Sequence, residues 1–520
     1  VETEVCIIGA GAAGGIIAAE LGRRGVNVVV LEAGPRHRFE RRADYARAIL
    51  KGDEPWRTPL AALDRYTTAG SVPYYLNPKR ARGVGGSTLY WEGYAFRFHP
   101  DDFKLRTRHG IADDWPLSYD DLEPYYAKAE AAFGVAGAAD DPWGPPRRSD
   151  FPLPPFPFSY ADGFYRRACA SLGVAFAHMP QARNSKEYGG RPACSACAVC
   201  HACPTGARAS ADLTHIAQAE ATGRVTVLSD VSALRLEVDA TDRLTGVVFA
   251  GHDRQRDRVT PRICVVAGGG VETPRLLLLS ATSRFPQGLA NRSGLVGKRF
   301  MTHPSTDVMG RVAQPVYPHR IGFATAMSRQ FAVTGPRRER AAFFLEFRNA
   351  AELGLGYEAS ATQRWGAELR ATLKADFGRA LGIRPYCEQL PDDRNTVTLD
   401  PEVRDHHGDP GPRLTYDVGD YERRALREAN AIASKILTQA GASDIETSRL
   451  HYAAHQIGTH RMGNDPRTSV VNRDLRTHDV QNLYLVGAGA FVTSTPSPPT
   501  LTIAALAIRA ADHIARELGR

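Results

Sequence analysis

Cysteine is scarce in this 520-residue chain, and half of its eight cysteines fall inside ten residues: Cys194, Cys197, Cys200 and Cys203 in ACSACAVCHACPTGA. So low a count excludes a fold stapled throughout by disulfides. Long hydrophobic runs are missing too. No apolar stretch approaches the ~18 residues that a membrane span needs, so no transmembrane segment is expected. Charge of one sign is never blocked. The net charge of +8 is spread over 65 basic and 57 acidic residues, a solvated basic surface rather than a nucleic-acid footprint, with an acidic protein or anionic surface left open as a partner. No charged n-region and apolar h-region precede the opening EVCIIGAG. Val1 is not a natural start, so a segment that would reveal export is expected to be missing, and the residues leave localisation open.

What is present reads as a soluble protein of more than one domain, with 43% hydrophobic and 23% charged residues over a length too great for one core. EVCIIGAGAAGGIIAAELGRRGVNVVVLEAG alternates an apolar strand, a Gly turn, an Ala-rich helix and a second apolar strand, which is a βαβ unit. RICVVAGGGVETPRLLLLS and NLYLVGAGAF repeat the buried-strand, Gly-turn style in the middle and near the end, and TLTIAALAIRAADHIARELG closes as an amphipathic helix. DDPWGPPRRSDFPLPPFPFSY is a long irregular connection. Residues 305–450 carry mixed strand and helix patterns, as an inserted layer would. The expectation is an α/β protein: a discontinuous Rossmann-type domain with an inserted α+β domain. No internal repeat is present.

Gly9, Gly11 and Gly14 form a G-x-G-x-x-G directly after the first strand. The first permits the tight turn, the second lets backbone approach a pyrophosphate, and the third lets helix and strand pack closely. The helix N-terminus that follows suits phosphate. Glu32 ends the next strand, where an acid hydrogen-bonds a ribose hydroxyl. The turn alone separates neither FAD from NAD nor a packing turn from a binding one; strand, helix and acid in register favour dinucleotide binding.

The tail HQIGTHRMGNDPRTSVVNRDLRTHDVQNLYLVGAGAFVTSTPSPPTLTIAALAIRAAD resembles the C-terminal region of the glucose–methanol–choline (GMC) oxidoreductases. RGVGGSTLYWEGYAFR, GGGVETPRLLLLS and VGKRFMTHP resemble further family segments, in the family's order. The resemblance implies noncovalent FAD and oxidation of an alcohol to a carbonyl. It implies an FAD domain assembled from residues 1–110, 206–304 and 451–520, a connecting region 111–205 holding the Cys-rich loop, and a substrate domain 305–450. Carried over residue by residue, it places Gly9, Gly11, Ala12, Gly14, Glu32 and Ala33 at the ADP half, and Gly85, Gly86, Ser87 and Thr88 along the pyrophosphate and flavin. Val231 falls at adenine, Gly487 and Ala488 at the ribityl and phosphates, and Thr500 at the flavin's pyrimidine edge. Trp91 stands between flavin or substrate contact and an ordinary buried aromatic. Some relatives join the flavin to a His before that Trp. Here Tyr90 holds the position, which excludes such a link.

His455 matches the family's catalytic base, and a neutral imidazole suits removal of a hydroxyl proton. The family's second polar residue, Asn or His, is replaced by Pro498, which has no side-chain donor or acceptor. Ser497, His451 or a water would then orient the hydroxyl, or His455 acts alone. His460 and His303 read as structural or supporting, with His303 beside a family motif.

Three readings compete for the cysteine run. Two disulfides would be small local crosslinks. Structural zinc favours two Cys pairs that face each other across a longer loop. Thiols at x₂ spacing ending in Cys-Pro resemble a ferredoxin run, with a last gap one residue short, so three or four ligands stay open. Within the family, the branch of bacterial FAD-dependent sugar dehydrogenases carries a [3Fe–4S] cluster here, so the resemblance implies an iron–sulfur cluster, [3Fe–4S] or [4Fe–4S]. It further implies a sugar or other alcohol as substrate, a cytochrome or other acceptor protein and a small subunit as partners, and a periplasmic location. An O₂-using oxidase with structural cysteines, a lyase on the same fold and a noncatalytic flavoprotein are the competing functions.

Overall fold

The structure, a computed structural model, describes residues 2–51, 56, 65–349 and 355–520. Its first sheet is built on strands that are apolar on both faces, as parallel strands covered by helices must be. Val225–Leu228, Val28–Leu31, Glu2–Ile8 and Arg256–Val266 lie side by side in parallel, with Val227 opposite Val30, Val30 opposite Ile7 and Ile7 opposite Val265. Leu483–Leu485 adds a further parallel strand along the C-terminal part of Arg256–Val266. The N-terminal part of that long strand pairs instead with Leu244–Gly251, antiparallel, and this in turn with Val231–Val238.

Helix Ala12–Arg23 packs on the closing helix Thr500–Glu517, which also meets helix Tyr119–Phe133. The closing helix buries Leu501, Ala504, Ala505, Ile508 and Ala511, and its alanines let neighbouring backbones come close. Because the central strands run parallel, their C-terminal ends collect along one edge. Gly9, Glu32 and Ala267 follow directly on such ends, Gly487 comes one residue further on, and all four line one cavity there, where ligands bind open α/β sheets.

The second sheet is antiparallel. Ser443–Thr447, Val308–Arg311, Ala380–Cys387, Phe343–Arg348, Ala324–Ser328 and Ala177–His178 form its main path, and Pro304–Ser305 joins it together with His451–Tyr452. Its membership is therefore wider than residues 305–450, since Ala177–His178 and His451–Tyr452 belong to it. Helix Asp420–Gln439 covers one face, setting Ala425, Ala429, Ala433 and Ile436 among Phe343, Leu345, Phe347 and Ile383. Side chains alternate along a strand, so Phe344, Glu346 and Arg348 point to the opposite face with cross-strand Tyr386 and Arg384. That opposite face looks toward the cavity. Among the described residues no helix is long and apolar enough to cross a membrane.

Candidate active site

The cavity has a volume of about 660 Å³ and lies between the two sheets' facing elements. Its first half is made mainly of backbone. Gly9, Gly11, Ala12, Glu32, Ala33, Gly86, Ser87, Thr88, Trp91, Val231, Gly487, Ala488 and Thr500 all line it, as the sequence implied. Gly14 and Gly85 do not; they act behind the wall. A Cβ on Gly14 would lie 1.9 Å from the Gly9 carbonyl oxygen, so this residue lets the helix sit on the turn. Gly85 donates its N–H to the Ala10 carbonyl at 2.9 Å, tying the second Gly loop to the first. At Gly86, with φ +54°, a Cβ would stand 2.8 Å from Gly11 Cα, so the two loops touch backbone to backbone. No side chain caps the Gly11 end of helix Ala12–Arg23, which leaves its first N–H groups to the cavity. Unpaired helix N–H groups and a glycine-lined cradle fit the pyrophosphate of FAD.

Glu32 is buried, at 7% exposure. Its carboxylate accepts the N–H groups of Ala10 at 2.9 Å, Gly34 at 2.9 Å and Gly83 at 3.1 Å. Burial pushes its carboxyl up from the usual range, and these three bonds and the Arg82 charge oppose the rise. Glu32 thus knots three loops together. A carboxylate offers about four acceptor sites, so one lone pair remains for a ribose hydroxyl. Trp91 is half-buried, donates Nε1–H to the Ala209 carbonyl at 2.7 Å and leans on Phe133, so it is at once a packed aromatic and a wall of the cavity. Tyr90 lines the cavity at the position where some relatives carry a flavin-linked His.

Across the cavity stands His455, half-buried. Its Nδ1 lies 2.8 Å from Nδ1 of the fully buried His303, whose Nε2 lies 2.6 Å from the Thr495 carbonyl oxygen. Among the described residues Nε2 of His455 has no protein partner. Burial, the His303 ring and the Lys79 charge push the His455 imidazole well below its ordinary range, so it is neutral at physiological pH and able to accept a proton. Pro498 lines the same wall. Of the groups expected to replace a polar residue there, Ser497 is buried and does not line the cavity. His451 does line it, with Nε2 held 3.0 Å from Asp307. His460 is buried and away from the cavity, with a ring pushed down to about 3 by desolvation.

The far wall is ionic, and the sequence reading passed over most of it. Glu92, Tyr94, Arg348, Arg384 and Tyr386 line the cavity alongside His451. Arg384 forks onto Asp307 at 2.8 and 3.1 Å, and Tyr94 donates to Glu346 at 2.7 Å. Burial raises the Asp307 carboxyl, but the His451 bond and the Arg348 and Arg384 charges outweigh it and hold the group well below the usual carboxylate range. Glu92 goes the other way. Burial and the Glu346 charge push it up to about 7, against Arg384 and Arg348. The signal in the sequence was FFLEFR: a Glu and an Arg two apart in an otherwise apolar strand mark one face as functional.

The cysteine loop borders this cavity. His201, inside the run, lines it with Phe323, ring centroids 4.5 Å apart. Arg208, fully buried, donates from its guanidinium to the Cys200 carbonyl at 2.8 Å, the Thr88 carbonyl at 2.7 Å and the Leu89 carbonyl at 2.8 Å. It thereby clamps the loop to the segment expected along the flavin. None of the four thiols is paired in a disulfide in this structure. Sγ of Cys203 accepts the Arg208 N–H at 3.1 Å, Sγ of Cys194 accepts the Ala196 N–H at 3.4 Å, and Arg183 stands 3.9 Å from Sγ of Cys200. Desolvation pushes the Cys200 thiol up to about 11, a cost that metal binding would remove. Ala196, Ala198 and Cys203 adopt left-handed backbone, which turns amides inward. This donor chemistry fits an iron–sulfur centre. The side-chain positions do not converge on one: among the described residues no three His, Cys, Asp or Glu groups could hold a metal ion.

The sequence profiles of two GMC oxidoreductase segments match residues 74–305 and 391–507, and an FAD binding domain profile matches residues 2–48. The chain belongs to the GMC oxidoreductase family. As a GMC oxidoreductase it binds FAD and oxidises alcohol groups. It is 34% identical to the fructose dehydrogenase large subunit of Gluconobacter japonicus, over 99% of this chain and 98% of that protein. It is 31% identical to the 2-methyl-1,2-propanediol dehydrogenase of Mycolicibacterium austroafricanum, over 99% and 95%. Pyridoxine 4-oxidase from Mesorbium loti shares the GMC fold with a TM-score of 0.67 at 20% identity, covering 98% of this chain and 99% of that one.

Proposed function

We propose that this chain is a dehydrogenase that oxidises a secondary or primary hydroxyl of a sugar or glycoside, with His455 as the base and the cysteine loop as the electron exit. The observation that carries the reading is His455 itself, a neutral imidazole whose Nε2 is open to the cavity between the glycine-built half and the ionic wall. FAD, which Gly9, Gly11, Gly86 and Glu32 would hold and which Tyr90 gives no histidyl link, would supply a two-electron acceptor for the hydrogen lost from the carbinol carbon. His455 Nε2 takes the hydroxyl proton as the C–O bond becomes a carbonyl. Proton and hydride thereby account for both hydrogens lost. The ionic wall, with the faces of Tyr94 and Tyr386, suits a polyol: charged groups bind vicinal hydroxyls and aromatic rings pack on the ring's C–H face. The fructose and propanediol dehydrogenases among the relatives support a polyol or diol.

Cys194, Cys197, Cys200 and Cys203 are the ligands we assign to an iron–sulfur cluster, which would supply one-electron transfer to an external acceptor. Support comes from the free thiols, their N–H donors and the Arg208 clamp onto Thr88. The fructose dehydrogenase relative, itself a large subunit, supports a further subunit as a partner. The test is anaerobic mixing of the purified holoprotein with a panel of hexoses, glycosides and diols, followed by flavin absorbance, iron and sulfide analysis, and turnover with ferricyanide against O₂. Flavin bleaching by a sugar, with stoichiometric iron and turnover with ferricyanide that exceeds turnover with O₂, is the expected result. A yellow protein without iron that turns over with O₂ alone is an oxidase, and the proposal fails.

A further inference from the structure

Proton abstraction needs one particular nitrogen of His455 to be bare, and nothing in the imidazole itself selects it. The two ring nitrogens differ only through what the other one bonds. We infer that His303 is the positioning residue that sets the His455 tautomer, in a proton-ordered chain running from the Thr495 carbonyl to the catalytic base; this rests on the reading of His455 as that base.

The order follows from donors and acceptors alone. A carbonyl oxygen only accepts, so the 2.6 Å contact requires the hydrogen of neutral His303 to sit on Nε2. Its Nδ1 then holds a lone pair. The 2.8 Å contact between the two Nδ1 atoms must therefore be donated by His455, and Nε2 of His455 is left unprotonated toward the cavity. Had either ring the other tautomer, two lone pairs or two hydrogens would face each other in a buried contact, which leaves polar groups unsatisfied. The two rings stand nearly perpendicular, centroids 4.7 Å apart and planes at 86°, with the two Nδ1 atoms as their point of contact. His303 stays neutral because burial holds its imidazole down at about 4, the Thr495 and Ser497 carbonyls opposing that drop. Among the described residues the groups facing the pair are Tyr386, beside His303, and Lys79, whose charge also keeps His455 neutral.

The test compares His303→Leu, His303→Asn and His455→Ala in the full FAD-loaded protein, reading the anaerobic rate of flavin reduction against pH together with FAD content and melting temperature. Leucine keeps bulk and removes the acceptor, so reduction should slow by at least about ten-fold with FAD retained. Asparagine can accept from His455 with Oδ1 and donate to Thr495 with its amide, and should restore most of the rate. A His303→Leu protein that reduces flavin as fast as the parent, while His455→Ala does not, overturns the inference and leaves the base assignment standing. If His455→Ala also keeps the parental rate, the base assignment itself is wrong. Should His303→Leu fail to fold, His303→Asp replaces it: a carboxylate facing Nδ1–H favours the imidazolium and must move the acidic limb of the profile upward relative to His303→Asn. Coincident profiles for those two variants overturn the inference equally.

Discussion

The two walls of the cavity are made in different ways. On the cofactor side the contacts are backbone: Gly86 against Gly11, Gly85 N–H to Ala10, three amides on Glu32. On the side proposed for the substrate they are side chains: Arg384 on Asp307, Tyr94 on Glu346, His451 on Asp307. A backbone-built wall tolerates little change, because its shape depends on missing side chains. A side-chain wall can be rewritten residue by residue on an unchanged scaffold. This division lets one fold oxidise different alcohols with the same cofactor.

Substitutions on the two walls should therefore fail differently. Glu32→Gln replaces one acceptor oxygen with a donor that faces amides already pointing inward. FAD affinity should fall by about 10- to 150-fold, the equivalent of roughly 1.5–3 kcal/mol for a charge-assisted bond, and equilibrium flavin titration reads it directly. The substrate-side counterpart is Arg384→Met, which should raise KM about ten-fold with FAD content unchanged, as the loss of roughly 1.5 kcal/mol of charged hydrogen bonding requires. If Arg384→Met sheds FAD, or Glu32→Gln changes KM alone, the division between the walls is wrong.

Glu92→Gln gives a smaller effect, visible only against pH. The Glu92 carboxyl is raised from its ordinary 4.5 to about 7 by burial and Glu346, so the folded protein holds that proton more tightly than the unfolded chain. Stability should then fall as pH rises from about 4.5 through about 7, and KM should change as the group ionises near 7. Glutamine cannot ionise. The variant's melting temperature and KM should both be flatter over that window, and slopes identical to the parent's would show that Glu92 is not the titrating group.

How much was legible in the sequence follows the same division. The G-x-G-x-x-G turn and the loops around Gly86 and Gly487 are short motifs whose geometry is local, and thirteen of the fifteen expected cofactor residues line the cavity, with Gly14 and Gly85 supporting it from behind. His455 was legible through the motif around it. His303 read as structural or supporting, but its contact with His455 was not legible, because it lies 152 residues earlier and meets it only when Pro304–Ser305 pairs with His451–Tyr452. The same holds for Arg384, 77 residues from Asp307, and for Arg208, whose tie to Thr88 spans 120. For the four cysteines the spacing left disulfide, zinc and iron–sulfur readings open, with three or four ligands, and the family resemblance implied the cluster. Spacing fixes which thiols share a loop, and among the described residues no three His, Cys, Asp or Glu groups converge to hold a metal ion.

The central claim is that His455 Nε2 removes the hydroxyl proton. Anaerobic stopped-flow reduction of the bound flavin by a saturating sugar or diol substrate isolates that half-reaction from any later electron transfer. His455→Ala should retain its full FAD content and reduce it about 10²–10⁴-fold more slowly than the parent, the range for loss of a general base. A fully loaded His455→Ala protein that reduces its flavin at the parental rate would contradict the account.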